Sequence, residues 1–254
     1  MDFSQVRSLN LKKRINIIDE VRGLCIILVV VYHLFYSLAM IFRFESCIEP
    51  FNIMRTFQPI LPAMFIFISG ISFHLSRSNL RRGFILLVIA AMITILLWVF
   101  MPSQIIWFGI IHFLAVANLL CALLKKPLEK LPAIPCVIIC VLLFLLTYNI
   151  PRGYIGFEGM WSLELPNSLY STDLTAFLGF HSYAFRSSDY CPLLPWIFMF
   201  LTGVFIGRYV QKLPEALCRV HIRPLAFIGR HTLIIYLVHQ PLIVGAISLY
   251  QMIR

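Results

Sequence analysis

The feature that most constrains this chain is a series of apolar runs that approach the length needed to cross a bilayer. Of its residues, 60% are hydrophobic and only 13% are charged. In hydrocarbon, every backbone N–H and C=O group must find its partner within the chain, so such runs form helices. We therefore expect an all-α integral membrane protein with about seven transmembrane helices (eight is the alternative), forming one membrane domain over residues 1–254. The predicted spans are residues 24–42, 59–75, 84–101, 105–124, 133–149, 193–210 and 232–250.

The basic residues indicate the orientation. The 21 Lys and Arg residues divide 16 to 5 between the two predicted sides, with the majority on the side of the N-terminus. Because Lys and Arg favour the cytoplasmic side, the N-terminus is predicted to be cytoplasmic. The net charge of +10 then forms mainly a cytoplasmic collar that faces anionic membrane lipid. No feature indicates nucleic-acid binding, whereas such a collar can hold a phosphate-bearing cosubstrate.

The first span aligns a cation with a titratable ring. Arg22 and His33 are eleven positions apart on one apolar run, so both side chains fall within about 20° of the same helix face. His33 then stands roughly 16 Å further along that face than Arg22. An ionisable group buried in a membrane helix is costly, and this favours a functional role for His33. A core histidine that bonds a neighbouring helix is the structural alternative.

Two further histidines are predicted to lie deep in other spans. His112 is in WFGIIHFL and His239 is in GRHTLIIYLVHQP. With His33, they fall roughly 10–13 Å inside a hydrocarbon core about 30 Å thick. Each ring alone would more often be structural. Their common depth favours a polar cavity shared by the three.

Charged and small residues mark the span edges. Asp19 and Arg22 are three positions apart and can pair on a helix. Gly203 and Gly207 are four apart, a spacing typical of close helix packing in lipid. Asp189 precedes that span as an outer-side carboxylate at its mouth.

The longest predicted connection, residues 150–192, lies on the outer side. A loop of this length is usually functional or disordered. Its aromatic residues (Tyr, Phe and Trp) and interspersed carboxylates suit a carbohydrate-like acceptor, although interfacial aromatic residues are also common in membrane proteins. We expect residues 174–185 to form a short re-entrant or interfacial helix.

The seven cysteines show neither CxxC pairs nor zinc-finger spacing. Most read as small apolar side chains within spans. Cys47 and Cys191 both fall on the predicted outer side, so an oxidising compartment would allow a disulfide between them.

Five sequence segments occur in this order: RINIIDEVRGLCIILVVVYH, FIFISGISFHLS, IWFGIIHFL, DYCPLLPWIFMFLTGVFIGR and FIGRHTLIIYLVHQP. Together they resemble a bacterial membrane family that carries the heparan-alpha-glucosaminide N-acetyltransferase catalytic-domain signature, within the wider transmembrane acyltransferases. The resemblance extends over residues 14–241, nearly the whole chain. It implies transfer of an acyl group, typically acetyl from cytoplasmic acetyl-CoA, to a sugar or glycan, including a lipid-linked sugar, on the far side of a bacterial cytoplasmic (inner) membrane.

The arrangement of Arg22 and His33 also resembles the first-helix motif of membrane acyltransferases that modify surface polysaccharides, in which the His is taken as catalytic and the Arg as essential. One departure concerns the lysosomal animal enzymes, which place an Asn at the position of His33 and use a histidine in the next outer loop. Here the loop of residues 43–57 has no histidine. This departure moves the catalytic assignment to His33, or the reaction differs from that of the animal enzymes.

Physical pattern and resemblance together assign a role to each candidate residue. His33 is the expected general base or acetyl carrier, and neutral imidazole suits either role. The assignments are His33, His112 and His239 as catalytic residues, Arg14, Asp19, Arg22, Arg230 and His231 in acetyl-CoA binding, and Asp189 and Gln240 in acceptor binding.

Two rival functions predict different observations. A transporter or flippase of a lipid-linked sugar would move its substrate without acetyl-CoA turnover. A haem or metal redox protein would use the buried histidines as ligands, although the sequence offers one histidine per helix rather than pairs. Small-residue pairs on apolar faces also fit a homodimer.

Overall fold

The computed structural model describes residues 15–210 and 218–253. Several predicted cytoplasmic cations, Arg14 among them, lie outside the described residues. The chain divides into two compact units, one of Met1–Phe65 with Gln211–Arg254 and one of Ile66–Val210. Each unit is considered by itself below.

The described residues hold ten α-helices and one β-hairpin. Short 3₁₀ turns join several of them, and a π-helical turn, Ser37–Ile41, continues the first helix. In chain order the elements are α1 (Asn16–Tyr36), α2 (Ile48–Phe57), α3 (Ile60–Ile71), α4 (Asn79–Phe100), α5 (Ile110–Leu123), α6 (Lys125–Lys130), α7 (Ala133–Thr147), β1 (Tyr154–Phe157), β2 (Trp161–Glu164), α8 (Leu193–Val210), α9 (Arg223–Arg230) and α10 (Thr232–Ile253).

The predicted helical membrane protein is confirmed, and five of the predicted spans coincide with helices long and apolar enough to cross a bilayer. The candidates are Asn16–Ile41, Asn79–Phe100, Ala133–Arg152, Leu193–Val210 and Thr232–Ile253.

Two predicted spans differ from single membrane helices. Residues 59–75 belong to a pair, Glu45–Phe57 and Ile60–His74, bent by 42°, and this pair would raise the number of spans to six. Residues 105–109 precede helix α5, which begins at Ile110 and has 14 residues. At 1.5 Å per residue such a helix is about 21 Å long, shorter than a hydrocarbon core of about 30 Å. The count of seven and the cytoplasmic N-terminus remain predictions.

Helix α1 leaves one apolar face exposed. Leu24, Leu28 and Val31 are 44%, 39% and 36% exposed and recur at helical spacing. Cys25 and Ile26, on the other side of the helix, are fully buried. An exposed apolar stripe of this kind is unfavourable in water and is the expected lipid-facing surface of a membrane helix.

In the first unit, α1 and α9 meet backbone to backbone. A Cβ atom on Gly23 would overlap the carbonyl of Leu225, and one on Gly229 would overlap the carbonyl of Asp19. Only glycine permits this approach, which is the small-residue packing common between helices in lipid. The contact places the C-terminal end of α9 beside the first turns of α1.

In the second unit, α4 packs on α5 and α7 packs on α8. Gly203 lies against the backbone of Phe67, and a Cβ on Gly207 would come within 2.7 Å of the carbonyl oxygen of Ile71. The predicted packing role of the Gly203–Gly207 pair is thus confirmed. Cys47 and Cys191, for which a disulfide was an alternative, are both free thiols in the structure.

The long segment between α7 and α8 contains the one strand pairing seen within the described residues, which the all-α expectation missed. Strands β1 and β2 are antiparallel, with Tyr154 opposite Glu164 and Phe157 opposite Trp161. Gly156 has φ of +97°, and a Cβ there would overlap the backbone of Trp161. The tight hairpin therefore depends on a glycine at this position.

The helix predicted over residues 174–185 is wrong. This stretch contains only a 3₁₀ turn, Ala176–Leu178, and Gly179 follows it with φ of +120°. The backbone N–H of Ser182 donates to Asp173 Oδ1 at 2.8 Å. A side chain that binds the backbone in this way competes with helical hydrogen bonding.

The α1–α9 contact yields a stability prediction. We expect Gly229→Ala to destabilise the protein by about 1–3 kcal/mol, because the added methyl group meets backbone that cannot rotate away. Thermal unfolding of the detergent-solubilised protein measures this change. Gly245→Ala on α10 is the matched control, since nothing lies within 4 Å of a Cβ built there. Equal melting temperatures for the two variants would contradict the proposed tight contact.

Candidate active site

A buried carboxylate joins α1 to α9. Asp19 is 5% exposed. Its Oδ1 lies 3.5 Å from Arg22 Nη1, and its Oδ2 lies 3.7 Å from Arg230 Nε. The predicted pairing of Asp19 with Arg22 is therefore present. The structure also brings Arg230 to the same carboxylate from the other helix, so two guanidinium groups converge on one anion.

Neighbouring polar contacts hold α9 in place. Glu20 Oε1 accepts from the backbone N–H groups of His221 and Ile222 at 2.6 and 3.1 Å. These groups lie just before α9, where backbone N–H groups lack helical partners and attract negative charge. Arg230 Nη2 also donates to Asn16 Oδ1 at 3.1 Å. We call Asp19, Arg22 and Arg230 the arginine cluster.

Two of the three predicted catalytic histidines are in contact. The ring centroids of His33 on α1 and His239 on α10 lie 4.9 Å apart, with an edge-to-face angle of 66°. His239 Nδ1 lies 2.7 Å from the carbonyl oxygen of Tyr236. A carbonyl can only accept, so this nitrogen carries a proton, and in the neutral ring Nε2 is the basic atom. We call His33 and His239 the histidine pair.

Aromatic side chains surround the histidine pair. His33 lies edge-on to Tyr32 and Tyr36, at centroid distances of 5.6 and 6.3 Å. Phe51 on α2 contacts both tyrosines, at 5.7 and 5.9 Å. Tyr236 lies 5.6 Å from His239. These rings restrict how the imidazoles can rotate and lower the local dielectric constant, which strengthens electrostatic interactions near them.

Gln240 follows the histidine pair in sequence and contacts an unexpected partner. Its Nε2 donates to Ser37 Oγ at 3.1 Å. Ser37 is fully buried and begins the π-helical turn Ser37–Ile41, a distortion that is frequent at functional sites. Pro241 lies inside α10, where it cannot donate the usual helical hydrogen bond. Sequence reasoning missed Ser37, for which only its position one turn after His33 gave a signal.

The arginine cluster and the histidine pair form two polar levels along α1, about 16 Å apart. The helix face between them carries Ile26, Val29 and Val30. Ile26 is 1% exposed, while Val29 and Val30 are half-buried. Any elongated ligand that joins the two levels would therefore pass Val29 and Val30 rather than Ile26.

His112, the third predicted catalytic histidine, lies in the second unit and has a complete set of hydrogen bonds. Its Nδ1 accepts from the backbone N–H of Gly109 at 3.3 Å. Its Nε2 therefore carries the proton and donates to Thr94 Oγ1 at 3.1 Å. The Thr94 hydroxyl in turn donates to the carbonyl of Ile106 at 2.6 Å. Proton transfer by His112 would need one of these bonds to break, so its catalytic role remains a prediction.

Asp189 and His231 also make local contacts. Asp189 Oδ2 accepts from the backbone N–H of Ile110 at 3.1 Å, where an anion stabilises the start of α5. His231 is exposed at the end of α9, and its Nδ1 lies 2.9 Å from the carbonyl of Phe227. The role of Asp189 in acceptor binding and that of His231 in acetyl-CoA binding remain predictions. Arg14, also predicted to bind the cosubstrate, is outside the described residues.

The histidine pair has the wrong geometry for a haem held between two axial ligands. Such ligands lie on opposite faces of the porphyrin plane, whereas these two rings are in edge-to-face contact with their centroids only 4.9 Å apart. Among residues 15–210 and 218–253, no group of three or more His, Cys, Asp or Glu side chains could hold a metal ion.

A family model described as "Heparan-alpha-glucosaminide N-acetyltransferase, catalytic" matches residues 14–241. The chain belongs to this family. The matched region contains both polar levels, from the first turns of α1 to Pro241 on α10. No curated protein and no solved structure matches the chain.

Family membership supports a membrane acetyltransferase-like function. The outer-loop histidine on which the animal enzymes rely has no counterpart in residues 43–57 of this family member. This stretch instead contributes Phe51 to the rings around His33. The catalytic roles of His33 and His239 remain predictions.

The bonds of His112 give a further stability prediction. Thr94→Val removes the acceptor of the His112 Nε2 proton and the donor to Ile106. We expect a loss of about 1–3 kcal/mol, because these groups would be left without partners. Thr56→Val is the control, since the Thr56 hydroxyl is exposed and bonds only within its own helix. Equal thermal stability of the two variants would show that the network contributes nothing.

Proposed function

We propose that this protein is a membrane-embedded acyltransferase that moves an acetyl group from cytoplasmic acetyl-CoA to a sugar or glycan on the outer side of the bacterial cytoplasmic membrane. The observation that carries the proposal is the contact between His33 and His239 in a member of this acetyltransferase family. The arginine cluster at the other level of α1 supports a donor that is anionic at one end.

The arginine cluster suits the phosphates of coenzyme A. Guanidinium groups bind phosphate through paired charge-assisted hydrogen bonds. Arg22 and Arg230 converge on the Asp19 carboxylate from two sides, and this convergence supports a role for both in binding an anion. A phosphate would share these arginines with Asp19. Arg14 would add positive charge, and His231, which follows Arg230 directly in sequence, is also proposed to contact the cosubstrate.

The histidine pair supplies the base. The acceptor oxygen or nitrogen attacks the thioester carbonyl carbon, its proton passes to an imidazole nitrogen, and the C–S bond breaks as the new C–O or C–N bond forms. The proton then goes to the departing thiolate of coenzyme A. Repulsion between like charges favours a pair that holds one extra proton rather than two. His33 is the proposed base, and His239 is proposed to orient it.

Gln240 is the proposed oxyanion donor. Gln240 follows His239 in sequence, and its Nε2 donates one N–H to Ser37 Oγ, which orients the second N–H for the oxyanion. A fixed N–H near the reacting carbonyl stabilises the negative charge that develops on its oxygen. The aromatic rings around the histidine pair exclude water and strengthen that interaction.

The first functional prediction concerns His33. With labelled acetyl-CoA and glucosamine as the acceptor, we expect His33→Ala to lower transfer about 10²- to 10⁴-fold, because general base catalysis is lost. His221→Ala should keep wild-type activity, since His221 is half-exposed and lies outside the proposed machinery. Full activity of His33→Ala would overturn the assignment. Sugar movement without acetyl-CoA turnover by the wild type would favour the transporter alternative.

A second functional prediction separates phosphate binding from chemistry. Arg22→Ala should raise the Kd for acetyl-CoA about 10- to 100-fold, the loss expected for one charge-assisted hydrogen bond. Turnover of acetylpantetheine, which lacks the nucleotide and its phosphates, should not change. Arg186→Ala is the control, because Arg186 is exposed and bonds only neighbouring carbonyl groups. A similar loss with both donors would indicate a structural role for Arg22.

A further inference from the structure

Residues of the segment between α7 and α8 line an open pocket of about 310 Å³. This volume is at the lower end of the range of about 300–1,000 Å³ for small-molecule sites. Charged, amide and tyrosine side chains share its lining with backbone and apolar atoms. The side chains used below are Arg152, Tyr154, Glu164, Asn167, His181 and Tyr183.

One wall of the pocket is the base of the hairpin. Tyr154 and Glu164 are paired residues of β1 and β2. Arg152 Nη1 donates to Asn149 Oδ1 at 3.1 Å, and the buried Asn149 donates from Nδ2 to the carbonyl of Gly156 at 2.9 Å. Tyr170, also in the lining, donates to the carbonyl of Ile150 at 2.5 Å. The Arg152 guanidinium is thus held through Asn149, and strand pairing places Glu164 opposite Tyr154.

The other wall is anchored by His181. Its Nδ1 donates to the carbonyl of Ser182 at 3.0 Å, and its ring stacks on Phe185 with centroids 5.1 Å apart. Tyr190 lies edge-on to the same ring at 5.2 Å. Next to His181, hydrogen bonds from Ser182 hold the pKa of Asp173 below its usual range. The contact between Asp173 and Ser182 therefore persists in mildly acidic solution. The wall is therefore preformed.

Several groups in the lining have no partner within the described chain. Glu164 and Asn167 make no side-chain hydrogen bond or ion pair there, and Tyr183 is 89% exposed. Carboxylate and amide groups together can accept from and donate to neighbouring hydroxyls. The face of a tyrosine ring carries partial negative charge and attracts C–H bonds of a sugar ring.

We propose that this pocket binds one sugar ring, neutral or carrying an amine, and that it is the acceptor-docking site of the protein. The charges select this class of ligand. Glu164 opposes a phosphorylated or carboxylated ligand, while Arg152 and Asn167 supply donors for ring hydroxyls. The docking role rests on the proposed acetyl transfer; the binding of sugar does not.

Saturation-transfer NMR on the full-length protein in detergent tests sugar binding, with glucosamine and glucose as probes and inositol hexakisphosphate as an anionic comparison. We expect transfer to the two sugars and none to the anion. Glu164→Gln and Tyr183→Ala should each weaken sugar binding at least fivefold. Leu174→Ala, an 84% exposed loop residue outside the lining, is the matched control, and Glu158→Gln on the same hairpin is a charge control that keeps an acceptor for the Tyr154 hydroxyl.

The outcomes separate this proposal from the proposed function. Sugar binding that the lining variants lose and the controls keep supports the pocket, even if the wild type never turns over acetyl-CoA. Where turnover occurs, Glu164→Gln should raise the KM for sugar and leave kcat and acceptor-independent acetyl-CoA hydrolysis unchanged. No saturation transfer to either sugar, or equal losses in Glu164→Gln and Glu158→Gln, overturns the proposal.

Discussion

The glycine contact between α1 and α9 is the constraint on which the first unit depends. Gly23 and Gly229 let the two backbones meet where any other residue would insert a Cβ atom into a carbonyl group. This approach brings Arg230 to the carboxylate of Asp19, already paired with Arg22 on α1. Since α10 begins directly after α9, the contact also fixes where α10 starts along α1. The meeting of His239 with His33 depends on that starting point.

The arginine cluster and the histidine pair place polar groups along α1, a mostly apolar helix, and this is energetically costly. Different chemistry stabilises each of them. The arginine cluster balances a buried carboxylate with two cations, and removal of one partner would leave charge uncompensated. The histidine pair is stabilised by aromatic rings and by the Tyr236 carbonyl. The arginine cluster lies near one end of α1 and the basic nitrogen of the histidine pair near the other. This arrangement suits the proposed donor, acetyl-CoA, which has phosphates at one end and a thioester at the other.

Helical periodicity predicted the features that lie on single helices. The alignment of Arg22 with His33 and the packing of Gly203 and Gly207 follow from residue spacing alone. Partners from distant segments could not be predicted in this way, because they depend on tertiary packing. Examples are the ion pair of Arg230 with Asp19 and the hydrogen bonds of Gln240 with Ser37 and of Thr94 with His112. The hairpin was missed because its strands have four residues each, and the helix over residues 174–185 fails because Asp173 binds the backbone of Ser182.

The most direct test of the central claim is acetyl transfer across a membrane. Proteoliposomes would contain glucosamine inside and receive acetyl-labelled coenzyme A only outside. We expect labelled acetylglucosamine to accumulate inside with the wild type and to fall at least 100-fold when His33 and His239 are both replaced by alanine. Folded wild-type protein that yields no acetylated sugar on either side, or a double variant that retains full transfer, would contradict the account.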